Sequence, residues 1–304
     1  LIKLEPRYCA LCGADALKAE KYAANFSDDD FNAAVFSARR MPDGRHFRFA
    51  RCTTCGLLFS DPACDPSTLE ALYTRAAVTY DRQEEQIYGS YAPVLDRALP
   101  RLRHRGDFLE IGGGRGFMLA WGVQNGFARQ IEVEPSSDAE EKFEPPGPNG
   151  RFIRGIFKKG LLPDASVSLA CFFQMLDHIP DPLGFLKDVV AALEPGGAAV
   201  CVTHDTSALS ARLLGEKSPI FDIEHTYLYN PDNLKRLFAK AGFTAIETFP
   251  VSNAYAVRHW LHLAPLPSLV KKPLTRVLER TKVAELKLRV NAGNFGIVGV
   301  KPAP

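Results

Sequence analysis

The sequence has no apolar run of the roughly 18 residues that a bilayer-crossing helix needs, so no transmembrane segment is expected. Its opening residues, Leu1-Ile2-Lys3-Leu4-Glu5-Pro6, contain no apolar core of the signal-peptide kind, and a secretory leader is not expected. It also lacks a charge excess. Its 37 basic residues face 35 acidic ones, and a net charge of +2 is too weak to announce a nucleic-acid partner. With 46% apolar and 24% charged residues it does not have the composition of a disordered chain. Its 304 residues suit one large or two modest domains with a sizeable core. An even cysteine count is missing too: seven cannot all pair, which argues against a closed disulfide framework.

Four of the seven cysteines form two pairs, Cys9-Ala10-Leu11-Cys12 and Cys52-Thr53-Thr54-Cys55, each followed by a glycine, Gly13 and Gly56. A two-residue spacer lets both thiolates of a tight turn face one ion, and the glycine relieves the backbone beyond it. Two such turns complete a tetrahedral four-sulfur site with no open position, so a structural zinc is expected rather than a catalytic one. Redox-active or coincidental pairs are the alternative. The 39 residues between the pairs imply a looped-out hairpin, with Met41-Pro42-Asp43-Gly44-Arg45 as a turn. Cys64, Cys171 and Cys201 read as ordinary residues, the last two in the core. Paired thiols beside spare ones fit a reducing cytoplasm. Residues 1–65 hold nine basic and nine acidic side chains, including Asp28-Asp29-Asp30, a poor reader of phosphate backbones. The module is expected to act as a lid or packing unit.

Residues 67–104 read as helical and carry Tyr73, Tyr80, Tyr88 and Tyr91. From Asp107 short apolar runs alternate with longer helical ones, the pattern of a parallel α/β sheet. The runs are Phe108–Ile111, Gln130–Val133, Phe152–Ile156, Val167–Phe173 and Ala198–Thr203. A helix over Pro231–Ala241 precedes a strand at Thr244–Phe249, and a last strand is expected at Phe295–Val300.

The most informative stretch runs from Asp107 to Leu119: a strand, the turn Gly112-Gly113-Gly114-Arg115-Gly116, then an amphipathic helix. Glycines there let a ligand approach the backbone and expose amide hydrogens at a helix start. The spacing is not that of nicotinamide-binding loops, because position 117 is phenylalanine. Glu110 stands two residues before the first glycine. Glu134 ends the next strand, where a carboxylate can accept both hydroxyls of a ribose.

On these residues the chain resembles the class I S-adenosylmethionine-dependent methyltransferases. The likeness continues through Phe172-Phe173-Gln174-Met175-Leu176-Asp177-His178-Ile179-Pro180-Asp181-Pro182 and Leu193-Glu194-Pro195-Gly196-Gly197, covering roughly residues 105–250. It implies a Rossmann-like seven-stranded α/β sheet and S-adenosyl-L-methionine as cofactor. Glu110 with Gly112, Gly113, Gly114 and Gly116 would hold the methionine part, Glu134 the ribose, and Gln174 would lie beside the cofactor. Phe157-Lys158-Lys159 stands where the family often has an acidic adenine contact, so Phe157 is expected to stack on adenine instead.

The cysteine pairs narrow the resemblance to a subgroup with an N-terminal zinc-binding domain, including C-methyltransferases of nucleotide-linked ketodeoxysugars. Phe221-Asp222-Ile223-Glu224-His225-Thr226-Tyr227 is similar to that subgroup's Glu-His segment after strand five. It departs from it in carrying Asp222-Ile223 where those enzymes have an aromatic residue and a histidine. The expected substrate is a sugar nucleotide or a natural-product or polysaccharide precursor, methylated on carbon or oxygen. His225 is the expected base, Glu224 its partner, and His178 the second candidate. Loop packing is the competing reading for all three. A non-catalytic cofactor-binding scaffold and a nucleic-acid methyltransferase are the alternative functions.

The expected domains are a zinc-binding module over 1–66, a helical connector over 67–104, the cofactor-binding core over 105–250, and a helical insertion with the final strand over 251–304. About 45 residues separate Phe249 from Phe295, whereas the family's last two strands form a close hairpin. Residues 251–290 contain eight basic and two acidic side chains, with Tyr255 and Trp260 near the start. A cap over the substrate and a homodimer interface through 251–294 are ranked ahead of a surface for anionic ligands.

Overall fold

The computed structural model describes residues 3–13, 16–27, 44–76, 84–263, 273–274, 277–278 and 281–303. The turn at Met41–Asp43, the acidic run Asp28–Asp30, Tyr80 and positions 264–272, 275–276 and 279–280 of the basic insertion lie outside the described residues.

The N-terminal part is built from short strands: β1 (Leu4–Glu5), β2 (Lys18–Tyr22), β3 (Phe49–Cys52), β4 (Leu58–Ser60) and β5 (Ala63–Cys64). Helices α1 (Pro66–Thr74) and α2 (Glu84–Leu95) follow. Asp65 starts α1 by accepting the Ser67 and Thr68 amide hydrogens, ahead of a proline at the first helical position.

The core alternates strand and helix. In chain order come β6 (Asp107–Ile111), α3 (Leu119–Gln124), β7 (Arg129–Glu134), α4 (Ser137–Glu141), β8 (Gly150–Arg154) and β9 (Val167–Phe173). Then follow α5 (Pro182–Ala192), β10 (Leu193–His204), α6 (Leu209–Leu214), β11 (Tyr227–Leu228) and α7 (Pro231–Ala241). The chain closes with β12 (Thr244–Ala256), α8 (Val257–Leu263) and β13 (Lys287–Val300). Seven strands form one sheet in the order β12-β13-β10-β9-β6-β7-β8. The five from β10 to β8 pair in parallel, while β13 runs antiparallel to both β10 and β12. The α/β sheet read from the alternating pattern is present, in the Rossmann-like seven-stranded form that the resemblance implies.

Central strand β9 is apolar in nearly every position because helices cover both its faces, and all but its last residue are buried. Asp181-Pro182 and Asn230-Pro231 start α5 and α7 with a side-chain cap and a proline. Gly242, in the left-handed conformation, ends α7.

Strands β12 and β13 are longer than the sequence suggests. They pair from Thr244 with Val300 out to Ala256 with Lys287, so the segment between them is 257–286. Residues 287–292 are exposed in succession and carry no alternation by which a strand would be recognised.

A second sheet, in the order β11-β4-β3-β2, joins the cysteine-bearing part to the segment after β10. Tyr227 pairs with Phe59 and Leu228 with Leu58. The Tyr227 hydroxyl donates to the Tyr8 carbonyl, and the Ser60 amide donates to the Thr226 carbonyl.

Candidate active site

Five parallel strands ending at one edge leave a crevice over their carboxyl ends, the place where such sheets bind ligands. Here the crevice is a cavity of about 670 Å³. One end is lined by Glu110, Gly112–Gly114, Glu134, Phe157 and Gln174, the other by His178, His204, Glu224 and His225. Thus the cofactor residues and the catalytic candidates His178, Glu224 and His225 singled out in the sequence share one space, together with His204. Gly116 sits in the same loop, just behind the lining. Tyr73 and Tyr91 also line the cavity, whereas Tyr88 donates to Gln124 Oε1 elsewhere. Asn253, Tyr255 and Trp260, at the start of the insertion, line it too.

The glycine loop is glycine by necessity. Gly112, Gly114 and Gly116 have φ of 70°, 61° and 80°, a region costing other residues roughly 1–2 kcal/mol each. A Cβ on Gly113 would come within 2.3 Å of the Glu110 carboxyl carbon.

Three carboxyl groups brace this loop from below. Met118 N donates to Glu110 Oε2 at 2.9 Å, Gly113 N to Glu132 Oε1 at 2.8 Å, and Gly114 N to Glu134 Oε2 at 3.2 Å. Glu134 Oε1 also accepts from Ser136 N at 3.0 Å, which holds its carboxylate at the strand tip. Glu132 has no role in the sequence reading, although the alternation of Ile131-Glu132-Val133-Glu134 sends it to the face of Glu134. It is fully buried, and its Oε2 has no hydrogen-bond partner among the described residues. Burial pushes the Glu110 carboxyl up to about 8, and burial together with the Glu110 charge lifts Glu132 well above the carboxylate range.

A carboxyl pair whose folded pKa is raised stabilises the fold fully below the unfolded value near 4.5, and that contribution is lost as pH rises toward 8. Glu132→Gln keeps an acceptor for Gly113 N and supplies an N–H toward Glu110. Its unfolding temperature at pH 8 is expected to exceed that of the parent chain by the equivalent of about 1–3 kcal/mol. At pH 5 the two should melt together. Equal destabilisation at both pH values would contradict the raised carboxyl pair.

At the far end, Asp177 is fully buried, and three histidine rings surround it, from the loop after β9, the end of β10 and the segment before β11. His225 Nε2 is 3.6 Å and His204 Nε2 3.8 Å from Oδ2, and His178 Nε2 is 4.0 Å from Oδ1. Burial alone would raise the Asp177 pKa, but the three rings outweigh it and hold the carboxyl below its usual range. Tyr73 shares a hydrogen bond of 3.0 Å with His178 Nδ1. Burial, and then the charge of Glu224, push its phenol well above the usual value, so it stays protonated. Thr226 ties the two loops together, its amide donating to the Asp177 carbonyl at 2.7 Å and its hydroxyl reaching the Ile179 carbonyl at 2.9 Å. Asp177 and His204 carry no role in the sequence reading. Only the loop after β9, the end of β10 and the segment before β11 bring them together.

The four paired cysteines also converge. The sulfur atoms of Cys9, Cys12, Cys52 and Cys55 all lie within 4.8 Å of one another, with Cys9 and Cys55 3.4 Å apart. Cys171 and Cys201 are fully buried in the sheet. Among the described residues no helix is long and apolar enough to cross a membrane.

A family model described as a methyltransferase domain matches residues 80–248. A Mycobacterium tuberculosis protein named as a probable S-adenosylmethionine-dependent methyltransferase is 29% identical over 157 residues, which are 50% of this chain and 54% of that one. An uncharacterized methyltransferase of Mycobacterium sp. (strain JLS) is 32% identical over 94 residues, 30% of this chain and 36% of its own. The chain thus spans about half the length, or less, of these curated relatives. Among solved structures, a SAM-dependent methyltransferase from Archaeoglobus fulgidus covers 78% of this chain and 100% of its own, at 17% identity and a TM-score of 0.47.

Proposed function

The chain belongs to the methyltransferase-domain family, and from that premise we propose that it transfers a methyl group from S-adenosylmethionine to a small molecule held in the cavity. The observation that carries this reading is the single cavity joining the glycine loop and Glu134 to the histidine–carboxylate cluster. The residues fit the cofactor. Gln174 Oε1 is buried with no hydrogen-bond partner among the described residues, an acceptor waiting for an N–H. Gln174 itself is held at φ 51°, a strained conformation of the kind found at ligand sites. Glu134 would take the ribose hydroxyls, Phe157 would lie against the adenine, and Gly112–Gly114 would leave room for the methionine part above Glu110. When bound, the cofactor supplies an electrophilic methyl group whose C–S bonding electrons remain on sulfur as it leaves.

The chain's own task is then to orient the acceptor and remove its proton. His225, Glu224 and His178 line the cavity where that proton would be taken up, with the Tyr73 hydroxyl holding the His178 ring and the Ile220 carbonyl the His225 ring. Tyr91, Tyr255 and Trp260 offer aromatic faces, and Asn253 and Asn294 offer amides. That combination suits a hydroxylated ring. A sugar nucleotide or a natural-product or polysaccharide precursor, methylated on carbon or oxygen, is the substrate class proposed. Zinc is proposed at Cys9, Cys12, Cys52 and Cys55, whose four-sulfur donor set and spacing suit a closed structural ion. A thiolate site beside three further free thiols suits a reducing cytoplasm.

The test is incorporation of label from methyl-labelled cofactor into candidate acceptors. His225→Ala is expected to lower kcat at least about 100-fold with the cofactor Kd within about twofold of the parent value. Undiminished turnover in His225→Ala would remove the histidine cluster from the reaction.

A further inference from the structure

We propose that Asp177, His178 and His225, with His204 against the same carboxylate, form a second metal site that takes one divalent transition-metal ion. The candidate ligand atoms of Asp177, His178 and His225 all lie within 4.8 Å of one another. Asp177 has no exposed surface, and neither of its carboxylate oxygens has a hydrogen-bond partner among the described residues. An ionised carboxylate is rarely left so, because the lost hydration is costly.

The distances indicate what belongs there. Separations of 3.6, 3.8 and 4.0 Å between Asp177 oxygens and imidazole nitrogens are too long for hydrogen bonds, which lie at roughly 2.7–3.2 Å. Two ligands bonded at about 2.0–2.2 Å to one ion sit roughly 3.0–4.2 Å apart. The gaps therefore match ligands on either side of a cation.

The outer faces of two of the rings support the same reading. His225 Nδ1 lies 2.6 Å from the Ile220 carbonyl, which can only accept, so that nitrogen carries the proton. His204 Nδ1 lies 2.9 Å from Asn294 Oδ1, and Asn294 Nδ2 in turn donates to Asn253 Oδ1 at 2.9 Å. His178 Nδ1 has the Tyr73 hydroxyl at 3.0 Å. Metal-binding histidines are commonly held this way, one ring nitrogen donating outward while the other presents its lone pair to the ion. Without a metal ion, His225 and His204 would face the buried carboxylate with inward lone pairs or, as imidazoliums, at 3.6 and 3.8 Å, too far to hydrogen-bond to it. Imidazole nitrogens with one carboxylate suit Zn²⁺, Fe²⁺ or Mn²⁺ better than all-oxygen ions such as Ca²⁺.

The consequence for catalysis rests on the methyl-transfer reading. An ion here would hold an oxygen of the acceptor and lower the pKa of the adjacent O–H or C–H. With His225 and His178 held on the ion, the proton would pass to Glu224 in the same cavity instead of to His225, while the methyl group bonds to the acceptor and the C–S electron pair stays on sulfur.

The experiment is a Co²⁺ titration of the intact metal-depleted chain, followed by absorption and checked by elemental analysis with Zn²⁺. Two equivalents per chain are expected. One shows intense thiolate charge transfer from the four-cysteine cluster, and the other only weak bands of nitrogen and oxygen ligation. The weak bands and one equivalent should vanish in Asp177→Asn and in His225→Ala, with the thiolate bands retained. Because a buried substitution can fail to fold, the parent chain's own titration is decisive. Saturation at one equivalent with thiolate bands alone overturns the proposal, as does a second equivalent that persists in both folded variants. Methyl transfer with one ion per chain would refute the ion and keep the activity. Two ions without cofactor binding would do the reverse.

Discussion

Glu134→Ala is expected to weaken S-adenosylmethionine binding by about 30- to 150-fold, the loss of about 2–3 kcal/mol from two charge-assisted hydrogen bonds to a ribose. The carboxylate is already aimed, since it accepts from both Gly114 N and Ser136 N at the tip of β7. Little rotamer freedom is therefore left to lose on binding. Glu134→Gln keeps one acceptor and should cost about tenfold. Removing the carboxylate also frees the Gly114 amide, so the alanine variant should melt a few degrees lower while remaining folded. Calorimetric titration of the two variants checks the order. An unchanged Kd in Glu134→Ala would mean that the strand tip does not hold the ribose.

Removing the ion proposed at the four-cysteine cluster, by chelation or by Cys52→Ser, should abolish the proposed methyl transfer although the cluster lies outside the cavity lining. The route is structural. Strand β4 begins three residues after Cys55 and pairs with Tyr227 and Leu228, two and three residues beyond His225. The Tyr227 hydroxyl is tied to the Tyr8 carbonyl, next to Cys9. Structural zinc contributes about 10 kcal/mol or more to folding its own ligand shell. Even partial loss should lower the first calorimetric transition by about 10 °C. Cofactor affinity should fall far less than turnover, because the glycine loop belongs to β6 and its neighbours. A metal-free chain with the same thermogram and the same turnover would disconnect the module from the site.

Much of the core was legible in the sequence because its signals are local. Val167–Phe173 reads as a strand from continuous burial, and Pro231–Ala241 as a helix from the Asn-Pro start and the terminal Gly242. The glycine loop reads from positive-φ positions that other residues tolerate poorly. What escaped depends on distant partners. Strand β11 is two residues long and exists only because β4, some 170 positions earlier, pairs with it. The outer halves of β12 and β13 form an exposed ribbon without alternation. His204 reaches the site because β10 ends there, opposite Asn294 of β13, and its own segment gives no hint of that neighbour. Asp177 was visible only as the residue before His178. Its full burial among three rings follows from three separate loops meeting.

The most direct test of the central claim is a crystal structure of the chain with S-adenosylhomocysteine. The ribose hydroxyls should lie within hydrogen-bond distance of Glu134, the adenine against Phe157, and the thioether sulfur should face His178 and His225 across the open part of the cavity. A cofactor whose sulfur points away from the histidines, or a cavity left empty at saturating ligand with Glu134 engaged only by Gly114 and Ser136, would contradict the account.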